Sequence, residues 1–176
     1  MPKTLEYRFD AILRLDLFQI IDEFLAGEDY CFSAFKVSWA KSNASLIHHL
    51  FPSRYDPRIC LQNGFNIILT RLQEEKDFHI QKACLFGLYC LFETQLLSPK
   101  ELIRTDVQIF LLLIEILNIS KYSGKEGTEI YALISKMVEE NVLIPAIFCG
   151  PFYCKKTTMP DEFEPSETKD FKFETK

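Results

Sequence analysis

The chain has 176 residues, 48% of them hydrophobic and 14% aromatic, with sixteen Phe against one Trp. That composition excludes disorder for most of the length and suits one domain with a real core. The net charge of -5 argues against a free-standing nucleic-acid binder, whose affinity rests on a basic field that neutralises phosphate.

The first helix is predicted from Tyr7 to Leu25, where Phe9, Leu13, Leu17, Ile20, Ile21 and Phe24 recur at helical spacing and Gly27 follows as a stop. A second is expected from Tyr30 to Ser42. Its Phe32, Phe35 and Trp39 form one stripe that reads as core, with Lys36 and Lys41 in water. The mainly apolar piece Leu46–Phe51 leads to a loop marked by Pro52-Ser53 and Asp56-Pro57. A third helix is predicted from Pro57 to Glu74, burying Leu61, Phe65, Ile68, Leu69 and Leu72 and interrupted by Gly64.

The run Phe78–Arg104, FHIQKACLFGLYCLFETQLLSPKELIR, carries the strongest local signal. No charge occurs from Ala83 to Phe92, and a helix apolar all round lies inside a protein or between proteins. Its helix is predicted to reach Leu97, before Ser98-Pro99. A fifth helix is expected from Thr105 or Asp106 to Lys121. Gly124 and Gly127 bracket a turn, and a sixth helix runs from Thr128 to Asn141. Leu143–Cys154 is apolar but broken by Pro145, Gly150 and Pro151, so it reads as an irregular strap. From Lys155 the chain is polar and reads as a disordered tail. The expected fold is all-α, about six helices, with a domain over residues 1–154 and a tail over 155–176.

Chemistry-bearing clusters are sparse. The six cysteines (31, 60, 84, 90, 149 and 154) contain no CxxC pair, and Cys84 and Cys90 diverge by about 240° on a helix. They read as free thiols in a reducing compartment. His48 and His49 diverge by about 100° on a helix, and His79 stands alone at a helix start. Gly124–Thr128 has the wrong order for a phosphate loop, and no GxSxG is present. Neither catalysis nor a cofactor or metal is expected. The N-terminus lacks the pattern of a signal peptide, and Val107–Ile119 is too short to span a bilayer. Lys100 and Arg104 follow a proline break at the start of an apolar helix, where a cation does not help the helix dipole. They are candidates for contact with phosphate or with an acidic partner.

Phe32, Phe35 and Trp39, followed by FHIQKACLFGLYCLFETQ, PK and IR, resemble the subunit 1 family of the small-nuclear-RNA-activating protein complex (SNAPc). The matching positions are Phe78, Ile80, Ala83, Leu88, Tyr89, Thr94, Gln95, Pro99, Lys100, Ile103 and Arg104. Ile130–Ile134 and Ala146-Ile147-Phe148 extend the likeness over roughly Leu17 to Phe152. Two departures mark a divergent member. Phe65–Leu72 stands where the family has an Ala-Trp-x-Tyr-like stretch, and a short mixed-charge tail replaces a long basic region.

The resemblance implies a nuclear, non-enzymatic scaffold subunit of a complex that binds the proximal sequence element of small nuclear RNA genes. That complex supports transcription by RNA polymerases II and III. Partners would be other SNAPc-like subunits, including a Myb-domain subunit, with promoter DNA reached mainly through the complex and no membrane. Thr94, Gln95, Lys100 and Arg104 would lie nearest a partner or DNA, and Phe32, Phe35, Trp39, Leu88 and Tyr89 would build the core. A paralogue serving piRNA genes is a variant of this reading. A cytosolic helical adaptor for peptides or trafficking partners is the rival from another class.

Overall fold

The structure, a computed structural model, describes residues 3–49 and 56–146. Six α-helices run through them: α1 (Lys3–Leu25), α2 (Phe32–Lys41), α3 (Pro57–Glu74), α4 (Phe78–Glu93), α5 (Val107–Ser120) and α6 (Gly124–Glu139). A 3-10 helix, Ala44–His49, follows α2, and two short strands, β1 (Ile103–Thr105) and β2 (Leu143–Pro145), pair in parallel. The fold is all-α, as expected, with this small ladder added to it. The strap expected from Leu143 therefore opens as a regular strand. Its continuation, the 155–176 tail and the Pro52-Ser53 loop lie outside the described residues.

Three helices begin on the same device. Asp56, Asp77 and Asp106 stand before α3, α4 and α5 and accept from Arg58 N, from His79 N and Ile80 N, and from Ile109 N. Each carboxylate satisfies N–H groups that an α-helix leaves unbonded and meets the positive end of its dipole. Helix α6 closes on Asn141 at φ 53, with Asn141 N donating to Val138 O and Val142 N to Met137 O. This is the left-handed close that Asn tolerates after glycine.

Helix α4 is the centre of the molecule. Every residue from Lys82 to Leu88 is buried, as are Cys90, Leu91 and Phe92, and α1, α2, α3 and α6 all pack against it. The stretch Ala83–Phe92 carries no charge and has no wet face to present, so neighbouring helices cover it. Phe86 meets Phe35 at 5.7 Å, Phe32 at 4.9 Å and Phe24 at 6.2 Å between ring centres. Leu88 and Phe35 are fully buried, and Trp39 nearly so. Phe32 and Tyr89 are half-buried, ring against ring, at the edge of that core.

Two glycines answer to close approach. A Cβ on Gly64 would lie 3.2 Å from Leu91 Cδ2, so the gap in α3 is where α4 crosses it. A Cβ on Gly127 would collide with the Ser120 carbonyl oxygen. Gly124 and Gly127 do not bracket the turn as expected. They form the first turn of α6, four residues before the predicted start, and Gly127 lets that turn sit against the end of α5.

Helix α4 also stops earlier than the expected Leu97. Thr94 caps it, its N–H bonded to Cys90 O at 3.0 Å and its hydroxyl donating to the same carbonyl at 2.8 Å. A side chain that occupies the last-turn acceptor in this way competes with further helix. The chain then leaves as the connection 94–102.

Candidate interaction site

All four residues singled out for contact lie on or next to the α4–β1 connection, but they do different things. Gln95 faces inward and is only 7% exposed. Its amide donates to Phe92 O at 2.9 Å and Glu101 O at 3.1 Å, and its carbonyl accepts from Glu101 N at 2.6 Å. It is therefore a clasp of the connection and not a surface residue, which corrects its expected place near a partner. Thr94 is half-buried and also bonds His48 Nε2 at 3.1 Å. Its own proton goes to Cys90 O, so the imidazole is the donor and carries its proton on Nε2.

Lys100 and Arg104 are both exposed, but neither stands as a lone cation. Lys100 Nζ lies 2.7 Å from Glu93 Oε2 and 4.8 Å from the centre of the Phe92 ring. That hydrogen bond is the first reason the Glu93 carboxyl titrates below its ordinary value. Arg104 reaches Glu101 Oε1 at 3.3 Å, and Arg58 takes the other carboxylate oxygen at 2.9 Å. Glu101 is thus buried between two guanidinium groups. Asp56, Arg58, Ile59, Gln62, Glu101 and Arg104 line a cleft of about 250 Å³ there. Buried Gln62 closes its floor and donates to Arg104 O at 3.3 Å and Asn66 Oδ1 at 3.2 Å. Arg58, Lys100 and Arg104 are matched by Asp56, Glu93 and Glu101, so this edge has polar specificity without a basic field.

Arg58 and Lys82 were not singled out from the sequence. Arg58 meets Glu101 from 43 positions away, a pairing with no local signature. Lys82 is 3% exposed inside α4, with Nζ 3.5 Å from Glu129 Oε2 of α6 and 5.6 Å from the centre of the Phe86 ring. Glu129 also accepts from Phe32 N at 3.1 Å, so one carboxylate joins α2, α4 and α6.

Burial raises the thiols of Cys60 to about 11 and of Cys84 and Cys90 to about 12, which makes them poor nucleophiles. Cys31 instead accepts from Ala34 N as the cap of α2. His79 packs its ring on Tyr30 at 4.6 Å. Among the described residues, no group of three or more His, Cys, Asp or Glu could hold a metal ion. Nor is any described helix long and apolar enough to cross a membrane.

A wider groove, of about 460 Å³, opens between α1 and the turn after α2. Ile20, Ala44 and Ile47 form its buried floor, Leu46 stands exposed at its mouth, and Asp16 and Glu23 flank it opposite Lys41. Glu23 is held by Gln19 Nε2 at 2.8 Å and Ser42 Oγ at 3.1 Å, which keep its carboxyl below the ordinary value.

Among the described residues this is an all-α helical array whose charged edge is paired internally and which carries an open cleft and a wider groove. The sequence profile of the small nuclear RNA activating complex (SNAPc), subunit 1, matches residues 13–173, most of the chain, and the protein belongs to that family. No curated protein matches it. The family is that of a subunit in a multi-subunit transcription complex and is not an enzyme family.

Proposed function

We propose that the protein is a non-enzymatic scaffold subunit of a nuclear complex bound to the proximal sequence element of small nuclear RNA promoters. There it supports transcription by RNA polymerases II and III. The observation that carries this reading is the family match over residues 13–173. The pairing of Lys100 and Arg104 with carboxylates, and the overall charge of -5, fit a subunit that reaches DNA through its partners. A Myb-domain subunit is the partner expected to carry most of that DNA contact.

The groove between α1 and the 3-10 helix is the surface assigned to a partner subunit. Its apolar floor suits one or two buried side chains, and Asp16 and Glu23 suit a basic residue beside them. The Arg58–Glu101–Arg104 cleft is a second contact edge, for a polar segment of the complex.

Co-expression with each of the other SNAPc subunits tests the assignment. The expected result is a stable assembly that forms on a proximal sequence element and is recovered from nuclei. A stable monomer indifferent to every other subunit, or recovery from cytosol with trafficking proteins, overturns it.

A further inference from the structure

Helix α1 carries a second face beside its buried one. Ile12, Leu15, Asp16, Gln19 and Glu23 fall within about 100° of one another around the axis, next to the Leu13–Leu17–Ile20–Phe24 side that enters the core. From Ile12 to Glu23 this face runs about 17 Å, or about three turns. Its later part walls the groove of about 460 Å³ over Ile20, Ala44 and Ile47. Its earlier part continues beyond the groove as Ile12 and Leu15, 56% and 69% exposed. With Leu46 at the mouth, large apolar side chains stand in water at both ends of an apolar floor.

The charges along the face are uneven. Among the described residues, the Asp16 carboxylate has no ion pair or hydrogen bond. Glu23 is bonded to the neutral groups of Gln19 and Ser42. Lys41 is the only cation among the described residues lining the groove, and it adjoins Ser42 at the Glu23 end. The Asp16 end therefore keeps an unanswered negative charge, set between the Ile12–Leu15 pair and the groove floor.

The walls also constrain the backbone of an occupant. One is α1 and the other the 3-10 helix Ala44–His49, so neither offers a row of unpaired N–H and C=O groups to an added strand. A segment that leaves water here must satisfy its own backbone hydrogen bonds, as a helix does.

We propose that the groove and the Ile12–Leu15 face together seat one amphipathic helix of another SNAPc subunit, about three turns long, with a Lys or Arg against Asp16. Its apolar anchors recur at helical spacing, over Ile12 and Leu15 at one end and over the Ile20–Ile47 floor at the other. The identity of the partner rests on the family reading; the helical form and the basic residue rest on the groove.

The test uses the full chain assembled with the other SNAPc subunits, with a photo-crosslinking residue at Leu15 or, separately, at Leu46. Both positions are expected to join one segment of one subunit, at sites three, four or seven residues apart and beside a Lys or Arg. Asp16→Lys is expected to weaken that subunit's binding at least about tenfold, and an acidic residue in place of the partner's base to restore it. Assembly without crosslinks from either position, crosslinks to a second copy or to the same chain, or full affinity in Asp16→Lys overturns the proposal and leaves the family reading standing. Failure to assemble with any subunit overturns both.

Discussion

Gln95 holds Glu101 at both ends of one peptide unit's reach, accepting from its N–H at 2.6 Å and donating to its carbonyl at 3.1 Å. This clasp turns the chain after α4 back toward α3, and so sets where the Glu101 carboxylate meets Arg58 and Arg104. Gln95→Ala is expected to cost about 2–4 kcal/mol, since it leaves buried backbone groups unbonded. Thermal unfolding measures the loss. Hydrogen exchange should show it concentrated at residues 94–102, and a uniform change across all helices would count against the clasp.

Acid sensitivity should trace to His48. Burial first, and the neighbouring His49 second, lower its imidazole to about 4 from an ordinary 6.5. Between those values the unfolded chain binds a proton that the folded chain refuses. Stability therefore falls as pH drops from about 6.5 to about 4 and levels off below. Urea midpoints at pH 7 and pH 5 should differ in the native chain and differ less in His48→Gln. An unchanged pH dependence in that variant would show that other groups carry it.

The buried Lys82 ammonium makes its two partner substitutions unequal. Glu129→Ala removes the carboxylate beside a charge that stays buried, and is expected to cost about 2–4 kcal/mol. Lys82→Met keeps the stem over Phe86 and removes the charge, so its cost should stay below about 1.5 kcal/mol. Chemical unfolding of both variants checks the order. A larger loss from Lys82→Met would mean that the pair stabilises the fold outright.

Gly127→Ala should destabilise by about 1–3 kcal/mol or more, because the added methyl group meets the backbone of Ser120 and backbone yields less than a side chain. Gly124→Ala is also expected to destabilise, through its φ of 63°, although nothing crowds that site. The two are told apart by circular dichroism and by α5 hydrogen exchange. Only Gly127→Ala should loosen the packing of α5 on α6.

Leu46→Asp is expected to leave the thermal midpoint within about 2 °C of the native one, since Leu46 is 52% exposed. The same change should abolish recovery of a partner subunit that seats in the α1 groove. Undiminished co-purification would remove that groove from the interface.

Much of the fold was legible because local signals agreed with tertiary ones. Pro57 marks the start of α3, and the uncharged Ala83–Phe92 run marks α4, before any contact is known, as a helix that must be covered. Phe35 and Trp39 follow from their spacing on α2. The β1–β2 ladder was hidden because three-residue strands have no period to detect, and their partners lie forty positions apart. The Lys82–Glu129 and Arg58–Glu101 pairs were hidden for the same reason. A charged residue in a helical pattern reads as solvated unless its distant partner is known. Gln95 shows the opposite error: a polar residue after a helix reads as a surface group, yet its hydrogen bonds turn it inward.

The parallel ladder has a consequence for how surfaces are carried. Ile103–Thr105 enters the α5–α6 hairpin and Leu143–Pro145 leaves it, so both stems of the hairpin are sewn together at one seam. Whatever grips the outer side of α5 therefore pulls on α6 and on the exit of the chain at once. The hairpin transmits load as a single handle, and its seam lies directly beside the arginine-flanked carboxylate of Glu101.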